Sequence, residues 1–261
     1  MNRIEKKFKE LKKADKKAFI AFITAGYPSL SVTEKLLLEF DKIGVDIVEL
    51  GVPFSDPLAD GPVIQEASQQ ALKKKTHLAD ILKLARKIRT KINLPICLMT
   101  YYNPIFAFGE EKFVKQAIES GVDGVIIPDL PPDEGRSLLR LAKEVNLDII
   151  CFIAPTTERK RIKYINSVSR GFIYYVSLTG VTGARQALPQ GLIKNIQLVK
   201  GLVKTPVCVG FGVSTANQVR EIQKTADGVI VGSAIVKKIK ENIKEPDLVN
   251  KVSNFVRSLK G

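Results

Sequence analysis

Between Val48 and Pro62 the chain reads Val-Glu-Leu-Gly-Val-Pro-Phe-Ser-Asp-Pro-Leu-Ala-Asp-Gly-Pro, setting two carboxylates, Glu49 and Asp60, where an apolar run enters a Gly/Pro-rich loop. The run Val45–Leu50, following a glycine, has the pattern of a strand buried in a parallel sheet. A carboxylate near the C-terminal end of such a strand is partly desolvated, which raises its proton affinity and suits it to proton transfer near neutral pH. Pro62 stands where a helix would begin. A plainer reading uses the same residues: Asp56 and Asp60 cap turns, and Glu49 is held in an ion pair.

A second set of residues points to an anion. Gly210-Phe-Gly-Val-Ser214 and Val231-Gly-Ser-Ala-Ile-Val each follow a predicted strand and open a predicted helix, so backbone N–H groups from both loops can converge on one phosphate. Ser177–Gln190, rich in Gly and Thr, is longer than an ordinary connection between a strand and a helix and reads as a lid. Other chemistries lack their residues. His77, the single histidine, falls at the start of a predicted helix and reads as a surface or capping residue, so neither a His-ligated metal nor a His-based triad is expected. No lysine stands at the C-terminal end of a predicted strand, which disfavours a Schiff-base aldolase. Cys97, Cys151 and Cys208 sit in apolar runs without metal-ligand spacing and read as reduced core residues.

The elements that must hold these groups alternate regularly. An amphipathic helix carrying Ile4, Phe8 and Leu11 precedes a strand over Ala18–Thr24 and a helix over Ser31–Ile43, with Ser29 or Ser31 as its cap. After the Glu49 strand come helices over Val63–Lys73 and Leu78–Lys91, a strand over Pro95–Thr100 and a helix over Glu110–Ser120. Later strands are predicted at Asp123–Ile127, Asp148–Ile153, Phe172–Val176, Pro206–Val209 and Asp227–Val231, with helices at Glu134–Val145, Glu158–Val168, Leu192–Val203 and Ser214–Gln223 and two more at the end. Eight strand–helix units in 261 residues, undivided by a linker, predict a single-domain (β/α)8 barrel with an extra N-terminal helix over the whole chain. In that architecture chemistry belongs at the C-terminal ends of the strands.

Composition narrows the rest. With 45% hydrophobic residues the chain can bury a large core. No apolar run approaches a membrane span and the N-terminus is charged, so a cytoplasmic protein is expected. The net charge of +14 invites a nucleic-acid reading, but Met1–Lys17 holds 8 basic and 3 acidic residues and Lys237–Gly261 holds 7 and 3. The remainder is near balance and has no interleaved aromatic platform for bases, so a solvated basic surface is the expectation.

Phe22-Ile-Thr-Ala-Gly-Tyr-Pro, the Glu49–Pro62 stretch, Pro128-Asp-Leu-Pro-Pro, Ser177-Leu-Thr-Gly-Val-Thr-Gly and Gly210-Phe-Gly-Val-Ser together resemble the tryptophan synthase alpha chain family, in order and over essentially the whole chain. The resemblance implies a lyase that cleaves indole-3-glycerol phosphate to indole and glyceraldehyde 3-phosphate without metal or organic cofactor. By the same matching, Glu49 transfers protons to the indole C3 and from the glycerol hydroxyl, Asp60 faces the ring nitrogen, and Tyr174 borders the substrate and helps position Glu49. Gly183, Gly212, Gly232 and Ser233 would hold the phosphate; Phe22, Ile64, Tyr101, Ile153 and Phe211 would wall the indole; Thr182 would join a closed lid to Asp60. The resemblance also implies a heterotetramer with a beta chain that carries pyridoxal phosphate, docking around the mouth of the site through Asp56, Pro57, Asn103, Pro104, Phe106 and Pro131. It does not account for the basic termini. Two alternatives share these residues: a free-standing lyase and a non-catalytic barrel that activates a partner.

Overall fold

The computed structural model describes residues 1–176, 188, 191–210 and 212–261. Apart from Leu188, the predicted lid at 177–190 lies outside these residues, as do Thr182, Gly183 and Phe211. Strands β1 (Ala18–Thr24), β2 (Ile47–Gly51), β3 (Ile96–Met99), β4 (Gly124–Ile126), β5 (Asp148–Ile153), β6 (Ile173–Val176), β7 (Val207–Gly210) and β8 (Gly228–Val231) pair in parallel, each with the next, and β8 closes on β1. Around the barrel lie α1 (Arg3–Lys13), α2 (Leu30–Lys42), α3 (Pro62–Lys73), α4 (Leu78–Arg89), α5 (Tyr102–Phe108), α6 (Glu110–Glu119), α7 (Arg136–Glu144), α8 (Arg159–Val168), α9 (Leu192–Leu202), α10 (Ala216–Gln223), α11 (Ser233–Glu241) and α12 (Leu248–Lys260). The expected (β/α)8 barrel with an added N-terminal helix is the fold observed.

Successive side chains of a strand alternate between the barrel interior and the helical shell. With the paired registers and one residue of stagger per strand, the inward side chains fall into layers of four drawn from alternate strands. One layer is Ile20, Cys97, Ile150 and Cys208. Above it, toward the C-terminal ends, lie Glu49, Ile126, Tyr174 and Ile230, and above those Phe22, Met99, Phe152 and Gly210. The barrel is therefore filled, with one carboxylate set into an otherwise apolar stack.

The lower end is sealed by α1. Its Ile4, Phe8 and Leu11 are buried against the interior cluster, and the Phe8 and Phe172 rings lie 6.0 Å apart. Gly124 makes room for this plug, since a Cβ there would come within 2.9 Å of Ile4 Cδ1. Asn2 caps the helix by accepting from the Ile4 and Glu5 N–H groups at 3.0 and 3.1 Å. Three aspartates at the feet of later strands fix the start of the strand before: Asp46 accepts from the Phe19 N–H, Asp123 from Ile96 and Asp227 from Val207, each at 2.9 Å.

Two local expectations are corrected. The stretch after β3 forms α5, which sequence reading had not assigned; Pro104 is tolerated in its first turn, and the Asp129 carboxylate accepts from the Tyr102 N–H at 2.9 Å at its positive end. The glycine loop after β7 does not itself open a helix, because α10 starts only at Ala216, capped by Thr215. Ser29, rather than Ser31, caps α2 by accepting from the Val32 N–H at 3.2 Å. His77 precedes α4, exposed, with its backbone N–H donating to the Asp80 carboxylate at 3.1 Å.

Candidate active site

Glu49 occupies the second inward position of β2 and is wholly buried. Its layer and the one below supply Ile, Cys and Tyr side chains, and among the described residues neither carboxylate oxygen has a hydrogen-bond partner. Desolvation alone raises its pKa from 4.5 to about 8. Among the described residues, then, Glu49 is not held in an ion pair. At neutral pH Glu49 carries a proton that it can give up.

Asp60 approaches from the loop between β2 and α3. Its Oδ2 accepts from the Tyr101 hydroxyl at 3.1 Å, the Tyr101 oxygen accepts from the Ala59 N–H at 2.9 Å, and the Gln65 side-chain amide donates to the Asp60 carbonyl at 2.9 Å. The Tyr101 ring stacks on Phe54 with centroids 5.2 Å apart. These contacts lock the loop against the mouth of the barrel. Burial lifts the Asp60 pKa to about 6 while the Tyr101 hydrogen bond opposes the rise, so Asp60 is an anion where Glu49 is still an acid. Its Oδ1 has no partner among the described residues. Burial and the neighbouring Asp60 charge in turn push the Tyr101 phenol up.

A small cavity at the C-terminal end of the barrel brings together Phe22, Asp60, Ile64, Tyr174, Gly212, Gly232 and Ser233, all expected from sequence, with Met99 and Ile230. Neither Met99 nor Ile230 is among the residues expected from sequence; the inward parity of β3 and β8 is the signal that identifies both. Two assignments are also corrected, the first of them by parity. Ile153 pairs with Tyr175 on the outer side of the wall, among the residues packed beneath the helices, so it cannot wall the cavity; its neighbour Phe152 points inward, with its ring 4.9 Å from that of Tyr174. Tyr101 clamps Asp60 and does not line the cavity.

Two glycines make close contacts possible here. A Cβ on Gly210 would come within 2.7 Å of the Tyr174 ring, and one on Gly51 within 2.6 Å of the Phe22 ring. The phenol of Tyr174 thus rises into space that a side chain at 210 would fill. At the far side of the cavity Gly232 and Ser233 begin α11, whose first turn holds no acidic residue. Its first backbone N–H groups have no partner within the helix, and the dipole favours an anion there. Gly212, at φ +66, adds a backbone conformation that favours glycine.

Of the residues expected to dock a partner, Asp56, Asn103 and Pro131 are exposed, Pro57 and Pro104 are half-buried, and the Phe106 ring is 69% exposed on α5. Leu58, which sequence reading passed over, is 83% exposed on the Asp60 loop. Cys97, Cys151 and Cys208 are free and buried. Among the described residues no His, Cys, Asp or Glu cluster could hold a metal ion, and no helix is long and apolar enough to cross a membrane.

A filled (β/α)8 barrel whose upper end joins a protonated carboxyl, an ionised one and a helix N-terminus is an enzyme for acid–base chemistry on a phosphorylated substrate with an apolar body. The profile of the tryptophan synthase alpha chain family matches residues 8–260. The chain is 46% identical to the tryptophan synthase alpha chain of Geobacter sp. (strain M21), covering 100% of this chain and 97% of that one, and 44% identical to that of Thermoanaerobacter sp. (strain X514), covering 100% and 99%. The crystal structure of tryptophan synthase subunit alpha from Legionella pneumophila str. Paris superposes with a TM-score of 0.93 at 38% identity, over 100% of this chain and 97% of that one. The chain belongs to the tryptophan synthase alpha chain family, lyases that cleave indole-3-glycerol phosphate to indole and glyceraldehyde 3-phosphate.

Proposed function

We propose that Glu49 and Asp60 carry the cleavage as a pair of carboxyl groups held in opposite protonation states. The carbon–carbon bond breaks once the indole ring is protonated at C3 and the adjacent glycerol hydroxyl loses its proton. Glu49, protonated at neutral pH, delivers the first proton and, as the resulting carboxylate, accepts the second. Asp60, ionised under the same conditions, offsets the positive charge that develops on the ring nitrogen. Tyr174, in the same layer as Glu49, borders the substrate and restricts the Glu49 side chain. Phe22, Ile64, Met99 and Ile230 wall the indole, and Gly212, Gly232 and Ser233 receive the phosphate at the start of α11. Thr182, Gly183 and Phe211 are assigned to the lid, the phosphate and the indole wall on the family pattern alone. No step needs a metal or organic cofactor in this chain.

The observation carrying this reading is the buried, unpaired carboxyl of Glu49 beneath a cavity that Asp60 and the N-terminus of α11 share. We further assign the chain to the cytoplasm as one barrel domain that docks a beta chain, itself the carrier of pyridoxal phosphate, in an α2β2 assembly. Exposed Leu58 and Phe106 beside Asp56, Pro57, Asn103, Pro104 and Pro131 form the docking rim; a structural neighbour with a TM-score of 0.89 and 33% identity is from Mycobacterium tuberculosis tryptophan synthase. Indole release from indole-3-glycerol phosphate tests both assignments, measured for the purified chain alone and with a beta chain, in wild type and Glu49→Gln. Weak activity that rises with the beta chain and is lost in the variant is expected. Retained activity in Glu49→Gln refutes the acid–base role, and full activity without the beta chain refutes the dependence on a partner.

A further inference from the structure

The lower end of the barrel, opposite the cavity above Glu49, carries the basic N-terminal segment that the lyase reaction does not use. Two clefts of about 440 and 400 Å3 flank α1 there. Both are bounded by Phe8, Lys12, Lys204 and Pro206, so they form one groove. Lys9 and Arg170 line one part of it, and Lys16 and Lys17 line the other. Three separate segments thus bring cations to one place: α1 with the turn after it, the loop before β6 and the loop before β7.

The backbone under these side chains is fixed. The Lys16 N–H closes the turn after α1 by donating to the Leu11 carbonyl at 2.8 Å, and the Asn166 carboxamide accepts from the Lys204 and Thr205 N–H groups at 3.1 and 3.3 Å. Three acidic residues border the groove. Glu5 pairs with Arg170 at 3.4 Å, Asp227 pairs with Lys200 at 2.6 Å, and Asp15 lies in the turn after α1. Among the described residues Lys12, Lys17 and Lys204 enter no ion pair. The negative end of the α1 dipole accounts for Lys12, but that effect fades within the last turn and does not reach Lys17, beyond the helix.

We propose that this groove binds a soluble polyphosphate, a chain of three or more linked phosphates, free or carried on a nucleoside. An ammonium group is a compact point charge that serves phosphate well, and several in one cleft match a chain of anions better than the single phosphate of the substrate. Clefts of this size hold a small molecule. Phe8 is buried, so the groove has no exposed aromatic ring on which the bases of a nucleic-acid strand could stack. Because Phe8 and Ile4 plug the barrel, an anion bridging α1 and the loop before β7 also holds the plug in place and stabilises the fold by mass action.

The test is isothermal titration calorimetry of the full chain with sodium tripolyphosphate at about 0.15 M salt. Saturable one-to-one binding is expected, and the melting temperature should rise by about 5 to 10 °C at about a hundredfold excess over Kd. The double variant Lys12→Gln with Lys204→Gln should bind at least about tenfold more weakly. Lys73→Gln with Lys115→Gln removes the same charge from exposed positions outside the groove and should weaken binding less than about twofold. Indole release should be unchanged in both. ATP binding as tightly as tripolyphosphate locates recognition in the phosphate chain, and tighter binding adds a nucleoside contact at Phe8, Leu11 and Pro206; both outcomes support the proposal. No saturable heat with tripolyphosphate into the millimolar range overturns it. So does an equal loss in the two double variants, which would reduce the effect to net charge. Tighter binding of a single-stranded oligonucleotide or of phosphatidylglycerol vesicles at the same salt also overturns it, in favour of a macromolecular partner.

Discussion

Replacing Glu49 by Gln should abolish indole release and at the same time stabilise the protein, by an amount that grows with pH. The folded-state pKa of Glu49 is raised from 4.5 to about 8. Below the unfolded value both states hold the proton and the residue is neutral in each. Between the two values only the folded state holds it, so each pH unit removes roughly 1.4 kcal/mol of stability. Across that window the loss comes to about 5 kcal/mol, and it levels off above the folded pKa, where both states are ionised. Glutamine has nearly the same shape and no proton to lose, so the variant is exempt. For a chain of this size the difference in melting temperature should open by roughly 10 to 20 °C between pH 4.5 and pH 8. Calorimetric melts of wild type and Glu49→Gln across that range give the difference curve. Parallel pH dependences would refute the argument, because they would mean that Glu49 is solvated or paired in the folded protein.

Four further outcomes follow from particular contacts. With Asp60 at about 6 and Glu49 at about 8, kcat/KM should be bell-shaped, its acid limb set by protonation of Asp60 and its alkaline limb by ionisation of Glu49; a profile flat from pH 5 to 9 would contradict both assignments. Tyr101→Phe removes the bond that lowers the Asp60 pKa, so the acid limb should move to higher pH by about one to two units and kcat/KM fall roughly two- to tenfold at pH 7. Gly210→Ala drives a methyl into the Tyr174 ring and should cut kcat at least about tenfold while leaving the circular dichroism spectrum intact. Asp123→Ala leaves Arg89 without a carboxylate at 3.2 Å and Arg3 without one at 3.0 Å, and it frees the Ile96 N–H; denaturant unfolding should show a loss of about 3–5 kcal/mol.

The alternation of strands and helices, the placement of Glu49 at a strand end and of Asp60 in the loop beyond it, and the glycine loops after the last two strands were all legible in the residue order. Each depends on local pattern: period-2 burial, turn chemistry and helix caps act within a few residues. Element type was therefore readable, with ends displaced by a residue or two. The helix Tyr102–Phe108 was not, because its proline masks the pattern and its N-terminus is completed by Asp129, 27 residues away.

What only the closed barrel decided is the direction and protonation of side chains. Ile153 and Phe152 are equally apolar neighbours, and which of them faces the cavity depends on the register of β5 against β6, where one residue of slip exchanges the two faces. Tyr101 fits an indole wall by composition, yet contacts made across 41 residues turn it into a clamp on Asp60. Leu58 and Phe106 are ordinary apolar letters until the fold leaves them in solvent. The sequence by itself shows that a carboxylate lies at the end of an apolar strand; its shifted proton affinity arises from enclosure by side chains from all eight strands, because desolvation is a property of the closed volume around a charge and not of its neighbours along the chain.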